Sequence, residues 1–156
     1  MLDWKYPKRG GVGMCVLSLA LKAAAEGPDS PAYAELKQRV AQGDRPYPYI
    51  IAVDFDGTLC ENNWPDIGRE NRRMLEVIPL LRQLGVQMVL WSCREEGDLA
   101  DALDWCRQRG VEFDAANDNC PCIVEYFEWN TRKIHADEYW DDRAVAVCFD
   151  PKEDVE

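Results

Sequence analysis

The sequence predicts an α/β protein: a parallel, Rossmann-like sheet with helices on both faces. Three observations predict it. Residues 49–55 and 86–91 are short, nearly continuous apolar runs, the pattern of strands buried on both sides. The stretches that alternate with them carry a single apolar stripe at helical spacing. Finally, the polar clusters all follow apolar runs: Asp54-Phe55-Asp56-Gly57-Thr58, Ser92-Cys93-Arg94 and Asp141-Asp142-Arg143. In a parallel sheet the ligand crevice lies beyond the carboxyl ends of the strands, so these clusters converge on one edge.

Residues 1–46 read as a helical N-terminal extension. A helix is expected around residues 14–26, broken by Gly27-Pro28. A second follows, with Ser30 as N-cap, Pro31 at the first helical position, an apolar repeat at Ala32, Leu36 and Val40, and Gly43 as the stop. The main domain spans residues 47–150. After the strand at 49–55, residues 66–84 are expected to be helical, with Met74, Val77, Ile78, Leu81 and Leu84 on one stripe and Gly85 as the cap. The strand at 86–91 is followed by a helix at 98–109 and a strand at 111–115. Residues 116–130 read as irregular, and short strands are expected at 135–140 and 144–149. Residues 151–156 form an acidic tail.

The 156 residues carry a formal net charge of −11, which repels phosphate backbones and disfavours broad nucleic-acid binding. A small phosphorylated substrate is compatible with that charge, because a bound cation inverts the field locally. No apolar segment approaches the roughly 20 residues of a membrane span. Lys5, Lys8 and Arg9 before the apolar residues 12–25 resemble an export signal, but Lys22 interrupts the run. Seven cysteines, odd in number and scattered through apolar patterns, suit reduced thiols and a cytoplasmic location. One close pair, Cys120 and Cys122, with a single histidine does not fill a zinc tetrahedron.

Asp54 and Asp56 stand one residue apart at a strand end, before a glycine that lets the backbone turn. Carboxylates so close repel each other, and a hard cation with oxygen ligands relieves the repulsion. Asp141 and Asp142 bring more carboxylate to the same edge, and so oxygen-rich a set selects Mg2+ over zinc. Phosphoryl transfer needs a nucleophile, a proton donor for the leaving oxygen and positive charge on the nonbridging oxygens. Asp54, Asp56 and the set of Mg2+, Lys133 and Arg94 fill those roles, with Ser92 as a hydroxyl donor.

The residues Val53-Asp54-Phe55-Asp56-Gly57-Thr58-Leu59 resemble the first motif of the haloacid dehalogenase superfamily. Residues 88–92, an apolar strand ending in Ser92, resemble its second motif. Lys133 stands where the lysine of the third belongs, and Asp141-Asp142 is similar to the paired-acid form of the fourth. The resemblance covers residues 47–149. It implies a phosphohydrolase in which Asp54 attacks phosphorus and Asp56 protonates the leaving oxygen and later activates water. It further implies that Ser92 and Lys133 hold the phosphoryl group, Lys133 also shielding Asp54. Mg2+ would then be held by Asp54, the Asp56 main-chain carbonyl and Asp141 or Asp142. Phrases around Trp64, Trp91 and Arg132 resemble a small, nearly capless group, in keeping with the mere ten residues between nucleophile and first helix. Specificity then falls to that loop (Asn62, Asn63, Trp64), to residues 116–130, to the N-terminal helices, or to a partner subunit in a homo-oligomer.

Three other readings fit less well. A phosphorelay receiver carries its acidic pair early and its phosphoacceptor later, the reverse of the order here. A calcium loop needs Gly at its sixth position and Glu at its twelfth, where Leu59 and Pro65 stand. A non-catalytic interaction module on the same fold leaves Asp56 without a purpose.

Overall fold

The computed structural model describes residues 14–41 and 43–147. Its centre is strand β1 (Ile50–Val53), all four of whose side chains are buried. It pairs in parallel with β4 (Gln87–Leu90) on one side, Ile50 opposite Gln87 and Val53 opposite Leu90. On the other side it pairs in parallel with β6 (Glu138–Trp140), Val53 opposite Trp140. The short strand β5 (Ala115–Ala116) flanks β4, giving the order β5-β4-β1-β6.

That order explains where the helices lie. From β1 the chain steps outward to β4 and β5, then returns to the far side of β1. Right-handed crossovers in opposite directions place their helices on opposite faces. Helices α3 (Arg72–Gln83) and α4 (Glu96–Arg107) pack with Ile51, Val53, Met88 and Leu90. Helix α5 (Pro121–Phe127) packs with the alternate residues Ile50, Ala52 and Val89. The α/β fold read from the sequence is the fold observed.

Helices α1 (Val16–Glu26) and α2 (Pro31–Val40) extend the first face. Ser30 caps α2 by accepting from the Tyr33 N–H, with Pro31 at the first position, as its sequence predicts. Leu19, Ala23, Leu36 and Val40 join the same apolar cluster as α3 and the sheet. The N–H of Val16 donates to Glu138 Oε1 (3.0 Å), tying the start of α1 to the edge strand β6. Among the described residues, no helix is long and apolar enough to cross a membrane.

Three expectations need correction. Residues 66–70 are not helical: Asp66–Glu70 is strand β3, antiparallel to β2 (Cys60–Asn63) in a hairpin that follows β1. Its residues are mostly polar and exposed, so no apolar alternation announced it. Its one steric signature is Gly68, where a Cβ would stand 2.2 Å from the Glu61 carbonyl oxygen. Residues 116–130 are not wholly irregular, since Pro121 opens α5 there. Residues 144–147 form no strand: Val145 and Val147 are exposed, with no ladder partner among the described residues. The end of that expected strand, the basic lead before residue 14 and the acidic tail lie outside the described residues.

Candidate active site

Asp54 is the first residue past β1, and its N–H donates to the Trp140 carbonyl (2.9 Å), prolonging the pairing with β6. Asp141 and Asp142 follow β6 directly. Neighbouring parallel strands therefore end together and deliver three carboxylates to one point, the place where the strand order reverses. One oxygen from each of Asp54, Asp141 and Asp142 lies within 4.8 Å of the others. Asp54 is half-buried and the other two are exposed. Burial pushes the Asp54 carboxyl up to about 6, and the charges of Asp141 and Asp142 add to the shift. The Phe55 N–H opposes it.

Gly57 serves this cluster twice. Its φ of +89° turns the chain after Asp56, and a Cβ there would stand 2.4 Å from Asp142 Oδ2. Only glycine lets the turn lie directly beneath that carboxylate.

Asp56 faces elsewhere. Its two carboxylate oxygens accept from Arg94 Nε and Nη2, both at 2.8 Å. Its side chain is therefore not part of the acidic cluster, in keeping with the expectation that Asp56 would meet a metal through its main-chain carbonyl only. Arg94 needs correction. It is 1% exposed, and its remaining bonds run to the carbonyls of Pro65 (3.1 Å) and Asp66 (3.0 Å) on the hairpin. Trp64 and Phe55 rings flank it at 4.9 and 5.1 Å. A guanidinium so enclosed does not face a phosphoryl group in solvent.

Ser92 follows β4 at the same edge, half-buried. Its Oγ accepts from the Arg94 N–H (3.1 Å), so the hydroxyl keeps its own proton to donate. The loop is held by Asn117, just past β5, a residue sequence reasoning missed. Asn117 Oδ1 accepts from the Ser92 N–H (2.8 Å) and its Nδ2 donates to the Arg94 carbonyl (2.9 Å). Its φ of +50° suits asparagine better than most residues. Asn119, buried, was missed likewise: it accepts from the His135 N–H and donates to the Thr131 carbonyl, fixing the segment that carries Lys133. The polar run Asn117-Asp118-Asn119 after a strand was the available signal.

Lys133 is not brought onto Asp54. It is exposed, with Nζ 5.6 Å from the centre of the Tyr139 ring, and no ion pair joins it to an acid among the described residues. Its long stem follows solvent, so its expected shielding of Asp54 is absent from this arrangement.

The donor set suits a hard divalent cation. All three groups are carboxylates, no cation among the described residues pairs with them, and their crowding adds to the rise that burial gives the Asp54 carboxyl. A concavity of about 540 Å³ lies instead at the amino ends of the strands, lined by Arg82, Gln87, Arg107 and Asp114 among others. Arg82 there is already paired with Asp114 at 3.0 Å. The chemistry therefore favours the carboxyl edge over that hollow.

Among solved structures, the chain is similar to a conserved protein coded by a locus from Bacteroides thetaiotaomicron. The two are 44% identical, with a TM-score of 0.56, over 65% of this chain and 81% of that one. The chain belongs to that protein's family. No protein-family model matches the chain, and no curated protein does.

Proposed function

We propose that this protein is a magnesium-dependent phosphomonoester hydrolase of haloacid dehalogenase type, working through a phosphoaspartyl intermediate on Asp54. One observation carries the reading: Asp54, Asp141 and Asp142 converge within 4.8 Å at the sheet's switch point. The four motif resemblances, in order along the chain, support it. Asp54, Asp141 and Asp142, with the Asp56 carbonyl, would hold Mg2+, which when bound supplies charge neutralisation for the carboxylates and for the phosphoryl oxygens.

The chain's own residues do the rest. A carboxylate oxygen of Asp54 attacks phosphorus as the bond to the leaving oxygen breaks. Asp56 gives that oxygen a proton, then takes one from the water that attacks the phosphoaspartate, releasing Asp54 and inorganic phosphate. Ser92 donates its hydroxyl proton to a nonbridging oxygen. Lys133 reaches the phosphoryl group only by swinging its flexible stem inward. The hairpin is too small to be a lid, so the site is open and admits a small phosphate ester such as a nucleotide. The six described cysteines are free thiols, which supports a reducing, cytoplasmic setting.

The test is isotopic. Single-turnover hydrolysis in heavy-oxygen water should leave label in Asp54 as well as in the released phosphate. Chelation should abolish turnover, and added Mg2+ should restore it. Asp54→Asn should lower kcat by about 1,000-fold or more with the fold intact. Label in phosphate but never in the protein would end the covalent reading, and full activity after chelation would end the metal's role.

A further inference from the structure

Arg94 lies between the acid–base residue and the hairpin. Two of its N–H groups grip both oxygens of Asp56, and two more reach the Pro65 and Asp66 carbonyls at the hairpin tip. A guanidinium is a planar fork, so a two-point grip fixes the plane of the carboxylate as well as its position. Proton transfer demands that precision, since a catalytic group must sit about 2.6–3.2 Å from the atom it serves. Burying a cation costs several kcal/mol unless it is fully paired, and here the pairing is nearly complete. Were Arg94 only a staple for the hairpin, the acids of the hairpin itself would serve. Asp66 offers its carbonyl instead, and Glu70 pairs with Arg109. The carboxylate chosen is Asp56.

We infer that Arg94 is a positioning residue for Asp56, and that the hairpin tip, through two carbonyls, sets the orientation from which Asp56 serves the leaving group. This rests on the phosphatase reading above. The step concerned forms the bond from Asp54 to phosphorus, breaks the bond to the leaving oxygen and moves the Asp56 proton onto that oxygen. A leaving group stable as an anion departs without the proton. The contribution of Arg94 therefore appears with alkyl phosphates and vanishes with activated aryl phosphates.

The experiment compares glycerol 2-phosphate with 4-nitrophenyl phosphate, with Mg2+ present, in single turnover so that later hydrolysis of the phosphoenzyme does not enter. Arg94→Met should slow the alkyl ester about 100-fold, the scale of general acid catalysis, and the aryl ester less than about threefold. KM and inhibition by inorganic phosphate should stay unchanged, and Arg94→Lys should restore part of the alkyl rate. Equal loss on both esters, or a raised KM for both, would show that Arg94 touches the phosphoryl group and overturn the inference. No loss on either would reduce it to a staple, which overturns it as well. Should Arg94→Met fail to fold, Trp64→Ala replaces it, since that ring is 55% exposed and packs on the guanidinium. Its loss should again be selective for the alkyl ester, by several-fold, and an unselective loss overturns the inference. A wild-type protein that turns over neither ester would instead refute the phosphatase reading, and the inference would fall with it.

Discussion

At the scale of single residues, the acidic cluster makes a site whose own chemistry destabilises it. In the metal-free protein the Asp54 carboxyl sits at about 6 against an ordinary 3.8, raised first by burial and then by Asp141 and Asp142. The folded protein thus holds a proton that the unfolded chain has already released. Stability from this group is present below the unfolded value and is lost as pH rises from about 4 through about 6. Chemical denaturation under chelation should therefore show a fall of the order of 1 kcal/mol between pH 4.5 and 7.5, after allowance for the half-exposed position of Asp54. Asp54→Asn should remove that slope and leave the protein more stable at pH 7.5. Mg2+ should stabilise the wild type, by about 2.7 kcal/mol at a hundredfold excess over Kd, and do little for the variant. A wild-type stability that stays flat across this window would contradict the crowding. The identities of Asp54, Asp141 and Asp142 were legible in the sequence because strand ends in a parallel sheet must meet. The role of Arg94 was not, because its partner lies 38 residues away and its enclosure is made by a hairpin with no apolar pattern of its own.

At the scale of elements, legibility followed burial. β1 and β4 were plain, since a strand covered on both faces must be apolar throughout, and the stripe of α3 showed which side it hides. The hairpin of β2 and β3 was hidden because its side chains meet water, and only backbone constraints shape it. Gly68 is the main such constraint. A Cβ at this position would lie 2.2 Å from the Glu61 carbonyl oxygen, which is backbone and cannot step aside. Gly68→Ala should therefore spread the two strands at their bulged register and shift the Pro65 and Asp66 carbonyls away from Arg94. Overpacking of this kind costs typically about 1–3 kcal/mol. The expected outcome is a lower Tm together with a loss of activity on alkyl esters that exceeds the loss on aryl esters. An alanine accepted with unchanged Tm would mean that the hairpin is not clamped as described. Asn117 belongs to the same lesson: a side chain that bridges two loops is set by tertiary neighbours, so its sequence shows only a polar residue after a strand.

At the scale of the whole molecule, the N-terminal helices are where the reading from sequence stopped short. Their apolar repeat was visible, but an amphipathic pair carries no mark of what covers it. The structure supplies the cover, for α1 and α2 share one apolar cluster with α3 and the sheet face beneath it. Leu36 is fully buried in that cluster, and Glu138 on β6 accepts from the Val16 N–H while also holding the Trp140 indole N–H (2.9 Å). An acidic side chain at a helix N-terminus meets the positive end of the helix dipole as well as a free N–H. Asp141 of the acidic cluster follows that strand directly, three residues on from Glu138. A disturbance of the helices therefore has a short path to the site, through the edge strand. Leu36→Ala should cost about 2–5 kcal/mol, the range for a buried leucine whose cavity does not collapse. Because the cluster is shared, the loss should appear as one cooperative unfolding transition seen alike by the tryptophans and by far-ultraviolet circular dichroism. Glu138→Gln keeps an acceptor for Val16 but removes the charge and the acceptor for the Trp140 indole N–H, and should cost about 1–3 kcal/mol. If α1 and α2 were an independent appendage, Leu36→Ala would melt them in a separate early transition and leave both Mg2+ binding and turnover intact. A single transition, with Mg2+ raising its midpoint, is the outcome that one continuous core requires.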